Sequence, residues 1–313
     1  MPRTPESAPE AFDWSALAAD PPSLLSAVTA FYAQTARSSS EVGAYLSKRG
    51  LDHPELMDRF RLGYANRTLG LLLPDKNLVA GAKVRGALQR LGVLKPSGHE
   101  LLTGSLVVPV CDASGAVVQL YGRKLEDRQR EGVALHAWLP GPLRGVFNLD
   151  GWRGADEVVL CGSLIDALTV WCAGVHTVTA ACGADGCTDE LLQALVREGV
   201  RRVRVAFVEN AGGNAAARAV AVRLSAVGIE TLRVLLPMGR DANAFAVQSG
   251  LPALSRALID AEPFARAISC VTCEPKSMIN RRSCWVMRPP SQWGGESQGG
   301  PRQTDMAHLA TTP

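Results

Sequence analysis

EVVLCGSLIDALTVWCAG, residues 157–174, passes from a short apolar run into an amphipathic stretch that closes on Gly174. A strand of that length leading straight into a helix is the unit from which parallel sheets are built. The unit recurs downstream. VHTVTAAC (175–182) reads as a second strand, and TDELLQALVREG (188–199) as a helix capped by Thr188, with Glu190 in its first turn and Gly199 at its end. RRVRVAFV (201–208) is a third strand, NAAARAVAVRLSAVG (214–228) a helix and IETLRVLLP (229–237) a fourth strand. The expectation is a parallel sheet covered by helices on both faces. Ligands meet such sheets at the carboxyl ends of the strands, which directs attention to Cys161-Gly162, Val208-Glu209-Asn210 and Pro237-Met238-Gly239-Arg240-Asp241.

Upstream the texture differs. SLVVPVCD (105–112) and AVVQLYGRKL (116–125) flank Ala113-Ser114-Gly115 as the two arms of a β-hairpin, and Leu135–Leu139 reads as a further short strand before Pro140-Gly141-Pro142. Helices are expected within 22–62, where Leu24, Leu25, Val28, Phe31 and Tyr32 form an apolar stripe. One helix runs from Ser40 to Arg49 and ends at Gly50, another from Pro54 to Phe60, and a third from Val84 to Leu94. The chain therefore divides into a disordered leader (1–21), a basic α+β subdomain (22–153), an α/β domain (154–250), and a last part (251–313) in which a helical extension, PALSRALIDAEPFARAIS, precedes a disordered tail. That tail mixes Trp285 and Trp293 with Pro, Gly, Arg and Ser without a period, as a chain read out of frame after a disruption near Ser269 would.

Composition narrows the classes. Of 313 residues 47% are hydrophobic and 20% charged, which argues for a globular chain. No run of 18 apolar residues occurs and the N-terminus lacks the layout of a secretion signal, so a cytoplasmic protein with no membrane partner is expected. Cys270 and Cys273 have metal-like spacing and Cys284 follows, but the second close pair of a zinc site is missing, so no zinc is expected. Residues 44–153 hold 16 Lys/Arg against 10 Asp/Glu, whereas 154–250 hold 8 against 10. A basic half beside a near-neutral sheet suits either a phosphate-bearing partner or, as charge alone favours, a merely solvated surface.

The ordered series AYLSKRGL (44–51), RFRLGYAN (59–66), GVLKPSGHELLTGSLVVPVCDASGAVVQLYGRKL (92–125), HAWLPGPLRGVFN (136–148), VVLCGSLIDALTVWCAG (158–174), VRRVRVAFVENAGGNAAA (200–217) and GRDANAF (239–245) resembles the catalytic core of DnaG-type bacterial DNA primases, particularly the shortened versions carried by mobile elements. The resemblance implies an α/β fold in which a toprim-like parallel sheet flanked by helices follows a basic α+β primase N-terminal subdomain. It implies a nucleotidyltransferase that makes RNA primers on single-stranded DNA during replication, with ribonucleotides as substrates, Mg²⁺ on the toprim sheet and a replicative helicase as partner. The family's zinc-binding module, which precedes this core, has no counterpart in residues 1–23.

At the acidic positions the chain departs from the family. The first-strand Glu is replaced by Gly162, and the Asp-x-Asp of a later strand by Val208 and Asn210. Asp166 and Asp241 match the remaining acids, and the resemblance makes them the catalytic and metal-ligating candidates. Glu209 is a weaker third ligand, because neighbours on an extended strand face opposite ways. Hence the expected protein is a primase relative with impaired catalysis; the alternative is a non-catalytic accessory protein of a mobile element that binds single-stranded nucleic acid. A topoisomerase-like toprim nuclease is disfavoured, since no tyrosine nucleophile lies in a matching companion domain.

The nucleic-acid-binding candidates are Arg123, Lys124, Arg144, Lys48 and Arg49. Arg123 and Lys124 end a strand, where alternation lets one of the two face a cleft. Lys48 and Arg49 close a helix, where cations also complement the dipole. His136 reads as a packed neighbour of Trp138. Gly212-Gly213 serves either phosphate entry at a helix start or close strand–helix packing.

Overall fold

A computed structural model describes residues 12–126, 132–181 and 187–264, and the description that follows is of these. In chain order, α1 (Trp14–Leu17), α2 (Pro21–Arg37), α3 (Ser40–Lys48) and α4 (Leu56–Arg59) lead into the short strand β1 (Gly63–Tyr64), followed by α5 (Leu69–Leu72) and α6 (Val79–Arg90). Next come β2 (Ser105–Cys111), β3 (Val117–Lys124) and β4 (His136–Trp138), which with β1 make an antiparallel sheet ordered β1-β2-β3-β4. After α7 (Leu149–Trp152) the pattern alternates: β5 (Glu157–Cys161), α8 (Leu164–Cys172), β6 (Val178–Ala180), α9 (Asp189–Arg197), β7 (Arg202–Ala206), α10 (Ala211–Ala226) and β8 (Glu230–Arg233). The chain then forms α11 (Ala242–Ser249), α12 (Leu251–Ile259) and β9 (Glu262–Pro263). The second sheet is ordered β6-β5-β7-β8-β9, parallel except at β9.

Side-chain alternation explains why the β5 sequence is apolar throughout. Val158 and Leu160 face a core built with Leu191 and Leu195 of α9 and Val220 and Leu224 of α10. Val159 and Cys161 face the opposite core, which contains Leu164 and Leu168 of α8 and Leu254 of α12. The antiparallel sheet is two-sided in the same way. Val107, Val117 and Leu120 pack with Leu24, Val28 and Leu88 of α2 and α6, while Leu106, Val108, Val110 and Tyr121 turn into the core that holds Val159 and Cys161. Phe60 joins the two sides there, stacked on Phe147 at 5.1 Å and edge-on to Trp171 at 5.4 Å.

Local signals set the boundaries. Asp20 caps α2 through Ser23 N–H at 3.3 Å with Pro21 in its first turn, and all five residues of the predicted stripe are buried. Gly50, at φ 66°, ends α3 as Leu51 N–H returns to Leu46 O at 2.9 Å.

Three expectations are corrected. The folded chain begins before residue 22: Asp13 caps α1, and Trp14, only 5% exposed, is anchored in the α2–α6 core, which removes 12–21 from the leader. The third upstream helix occupies Val79–Arg90 rather than Val84–Leu94, because Gly92 takes φ 76° and packs against Pro140. The helical extension ends at Ile259, and Glu262–Pro263 instead pairs antiparallel with β8; a proline lacking an N–H is tolerated at such an edge. Residues 1–11 of the leader and the tail from 265 onward, with Cys270, Cys273 and Cys284, lie outside the described residues.

Candidate functional site

The register between β5 and β7 sets Cys161 beside Ala206, so Gly162 stands next to Phe207. The loop after β8 returns to the same place: Glu209 N–H donates to Arg240 O at 3.3 Å, and Gly239 N–H to Glu209 O at 2.6 Å. Positions 162, 208–210 and 241 therefore share one edge of the sheet. Three helices begin there, each capped by its own side chain. Ser163 Oγ accepts from Asp166 N–H at 3.1 Å, Asn210 Oδ1 from Gly213 N–H at 2.8 Å, and Asp241 Oδ1 from Ala244 N–H at 2.7 Å. Gly213 is needed for packing, since a Cβ there would lie 2.0 Å from Val208 O.

Asp166 is 4% exposed. Its Oδ2 accepts from Ser163 Oγ–H at 2.7 Å and its Oδ1 from Asn243 N–H at 2.9 Å. Burial, followed by the charge of Asp241, pushes its pKa up to about 7.

Glu209, the weak third metal candidate of the sequence reading, is held within the protein. Its carboxylate turns inward to Arg233 of β8: Oε2 accepts from Arg233 Nη2 at 3.0 Å, and Oε1 from Asn214 Nδ2 at 2.6 Å. Arg233 is 3% exposed and also donates to Val205 O at 3.2 Å, Phe207 O at 3.0 Å and Asn214 Oδ1 at 2.9 Å. A carboxylate neutralised by a buried guanidinium has no charge to spare for a cation.

Mg²⁺ wants near-octahedral oxygen ligands and one or two carboxylates with free lone pairs. Gly162 and Val208 bring no side-chain oxygen, Asn210 Oδ1 is committed to its cap, and both oxygens of Asp166 accept donors from the protein. Asp241 remains, half-buried, with one oxygen given to α11. Among the described residues no cluster of three or more His, Cys, Asp or Glu able to hold a metal comes together. The donor set does not fit the ion that the resemblance implies.

A second feature lies on the antiparallel side. A cleft of about 980 Å³ is lined by Tyr45 and Lys48 of α3, Tyr64 of β1, Arg67, Thr103 and Lys124 of β3. Lys124 Nζ donates to Thr103 O, and its pKa is lowered by burial and then by the neighbouring cations Lys95 and Arg67. Tyr64 donates to Glu41, and burial, reinforced by that carboxylate, raises its pKa to about 12. Arg67 holds a left-handed backbone at φ 72°. Arg49 sits beside this wall, its guanidinium 5.4 Å from the Tyr45 ring centre.

Of the residues singled out from sequence, Lys48 and Lys124 are thus brought together, with Arg49 adjoining. Arg123, half-buried on β3 between Leu106 and His136, does not line the cleft, and Arg144 is exposed near Asp112, whose pKa it helps to lower. The sequence reading missed Arg67, Tyr64 and Tyr45. Tyr45 had a signal, being one turn before Lys48 on the same helix face. Arg67 had none, because its place depends on the β1–β2 pairing.

The parallel sheet ordered β6-β5-β7-β8, with helix starts gathered at its carboxyl edge, has a toprim-like α/β arrangement, and residues 159–246 match the family model described as Toprim-like. More particularly, the fold is that of primase catalytic cores. The RNA polymerase domain of Mycobacterium tuberculosis primase DnaG superposes with a TM-score of 0.65 at 23% identity, covering 83% of this chain and 88% of that one. The DnaG primase catalytic domain bound to ssDNA superposes with a TM-score of 0.64 at 20% identity, covering 80% and 83%. Among curated sequences, the DNA primase of Aquifex aeolicus is 25% identical over 74% of this chain. The chain spans 47% of that primase's length, less than half.

Proposed function

We propose that the chain is a primase-related protein that grips single-stranded nucleic acid in the Tyr45–Lys48–Arg67–Lys124 cleft, and that its sheet edge is impaired for metal-dependent nucleotide transfer. The cleft carries the reading. It gathers Lys48, Arg67 and Lys124 beside the half-buried ring of Tyr64, with Glu41 and Glu126 in the same lining. Burial, and then the cations Lys95 and Arg67, lowers the pKa of Lys124. An anionic backbone is drawn to such cations, and the Tyr64 ring offers a face to a base irrespective of sequence. The likeness to a primase catalytic domain bound to ssDNA supports the same reading.

The test is fluorescence anisotropy with a labelled oligo-dT. Wild type binds in the range of roughly 10⁻⁴–10⁻⁶ M, falling steeply with salt. A Lys48→Ala/Arg67→Ala/Lys124→Ala variant binds more weakly and loses about 2 from the salt slope, at about 0.7 per phosphate contact on a single strand. An unchanged slope overturns the cleft assignment. Primer synthesis with labelled ribonucleotides and Mg²⁺ or Mn²⁺, run beside a Gly162→Glu/Val208→Asp/Asn210→Asp variant, tests the impairment; efficient primer synthesis by wild type overturns it.

A further inference from the structure

Asn243 is 2% exposed, yet every polar atom of its side chain is used. Its Nδ2 donates to Arg49 O and to Thr169 Oγ1, both at 2.9 Å, and its Oδ1 accepts from Arg49 Nη1 at 3.3 Å. Its backbone N–H is fixed on Asp166 Oδ1 at 2.9 Å. One side chain on α11 therefore holds both ends of Arg49, the backbone carbonyl and the guanidinium, 194 residues away in sequence. Thr169 fastens the amide from the α8 side.

This hold bears on the cleft. Arg49 ends α3, the helix that supplies Tyr45 and Lys48 to the wall, and its guanidinium lies over the Tyr45 ring. A long arginine side chain gives up much of its rotamer freedom when fixed. A group that fixes it beforehand lets the binding partner keep more of the contact. The amide suits this task. It offers both a donor for the carbonyl and an acceptor for the guanidinium, which a carboxylate or an aliphatic side chain of the same size does not.

Resting on the nucleic-acid reading, we propose that Asn243 is a positioning residue that presets Arg49 for a phosphate of the bound strand, so that a residue on the sheet edge tunes the grip of a cleft it does not line.

The experiment is a double-mutant cycle on the full chain, read by anisotropy with labelled oligo-dT across a salt series. Arg49→Ala weakens binding about fivefold and lowers the salt slope by about 0.7, the value of one single-strand phosphate contact. Asn243→Ala weakens binding about threefold in the wild-type background and has no further effect once Arg49 is alanine. Val220→Ala, a cavity in the core on the other face of the parallel sheet, serves as the stability control: it lowers Tm but leaves affinity as in wild type. If Asn243→Ala does not fold, Asn243→Ser carries the same cycle. Effects of Asn243 and Arg49 that simply multiply, or a Val220→Ala variant that weakens binding as Asn243→Ala does, reduce Asn243 to a structural residue and overturn the proposal. Failure of the underlying reading looks different: wild type itself then shows no binding at low salt, and both fall together.

Discussion

Replacing Arg233 by methionine withdraws a guanidinium that serves five acceptors at the end of β7. Three of the losses are mild. Val205 O keeps its bond from Val234 N–H at 3.0 Å, Val208 O keeps Asn210 N–H at 3.1 Å, and Asn214 keeps Glu209 through its own amide. The other two matter. Phe207 O loses its side-chain donor, worth about 1 kcal/mol. The Glu209 carboxylate, 9% exposed, is left with its charge uncompensated, and removing one partner of a buried pair typically costs about 3–5 kcal/mol. Urea unfolding followed by tryptophan fluorescence should place the single variant that far below wild type. An Arg233→Met/Glu209→Leu double variant has no stranded charge and should recover at least about 2 kcal/mol of the loss, since apolar replacement of a buried pair is often neutral. A single variant within about 1 kcal/mol of wild type refutes the claim that Glu209 is spent on Arg233, as does a double variant no better than the single.

Asp166, with its pKa near 7 rather than its ordinary 3.8, holds in the folded state a proton that the unfolded chain has released across that interval. Its contribution to stability is complete below about pH 4 and is lost as pH rises through 7, so the Tm of wild type should fall relative to Asp166→Asn across this window; a constant difference between the two refutes the assignment. Gly81→Ala should lower Tm although alanine is the better helix former. Its Cβ would stand 1.9 Å from Asp75 O, and relief of such overpacking costs about 1–3 kcal/mol. An unchanged or raised Tm shows that the loop before α6 yields freely.

What could be read in advance follows from how far each signal reaches along the chain. The strand–helix alternation from Glu157 to Pro237 and the cap Thr188 are local, and they stand in the structure, the cap with its expected hydrogen bond. The hairpin of β2 and β3 is equally local, its turn closed by Asp112. Arg233 was invisible because a charged residue within IETLRVLLP looks like an exposed strand position, and its partner Glu209 comes from a different strand end, 24 residues earlier. Trp14 was assigned to the leader because four helical residues carry no period; only its burial against α2 and α6 reveals it. Arg67 and Asn243 likewise acquire their surroundings from segments distant in sequence.

The core that fills the space between the two sheets belongs to neither. Leu46, Phe60, Leu106 and Phe147 on one side, and Val159, Leu164 and Trp171 on the other, bury one another. This bears on inheritance. A crossover near residue 153 that joined the first half of this chain to the second half of a relative would have to bring matching shapes at Phe60 and Trp171 along with it. Drift at the sheet edge faces no such demand, since Gly162 and Asn210 are exposed and lie outside that shared interior. Substitutions there leave that shared interior untouched, whereas the halves themselves must descend as a pair.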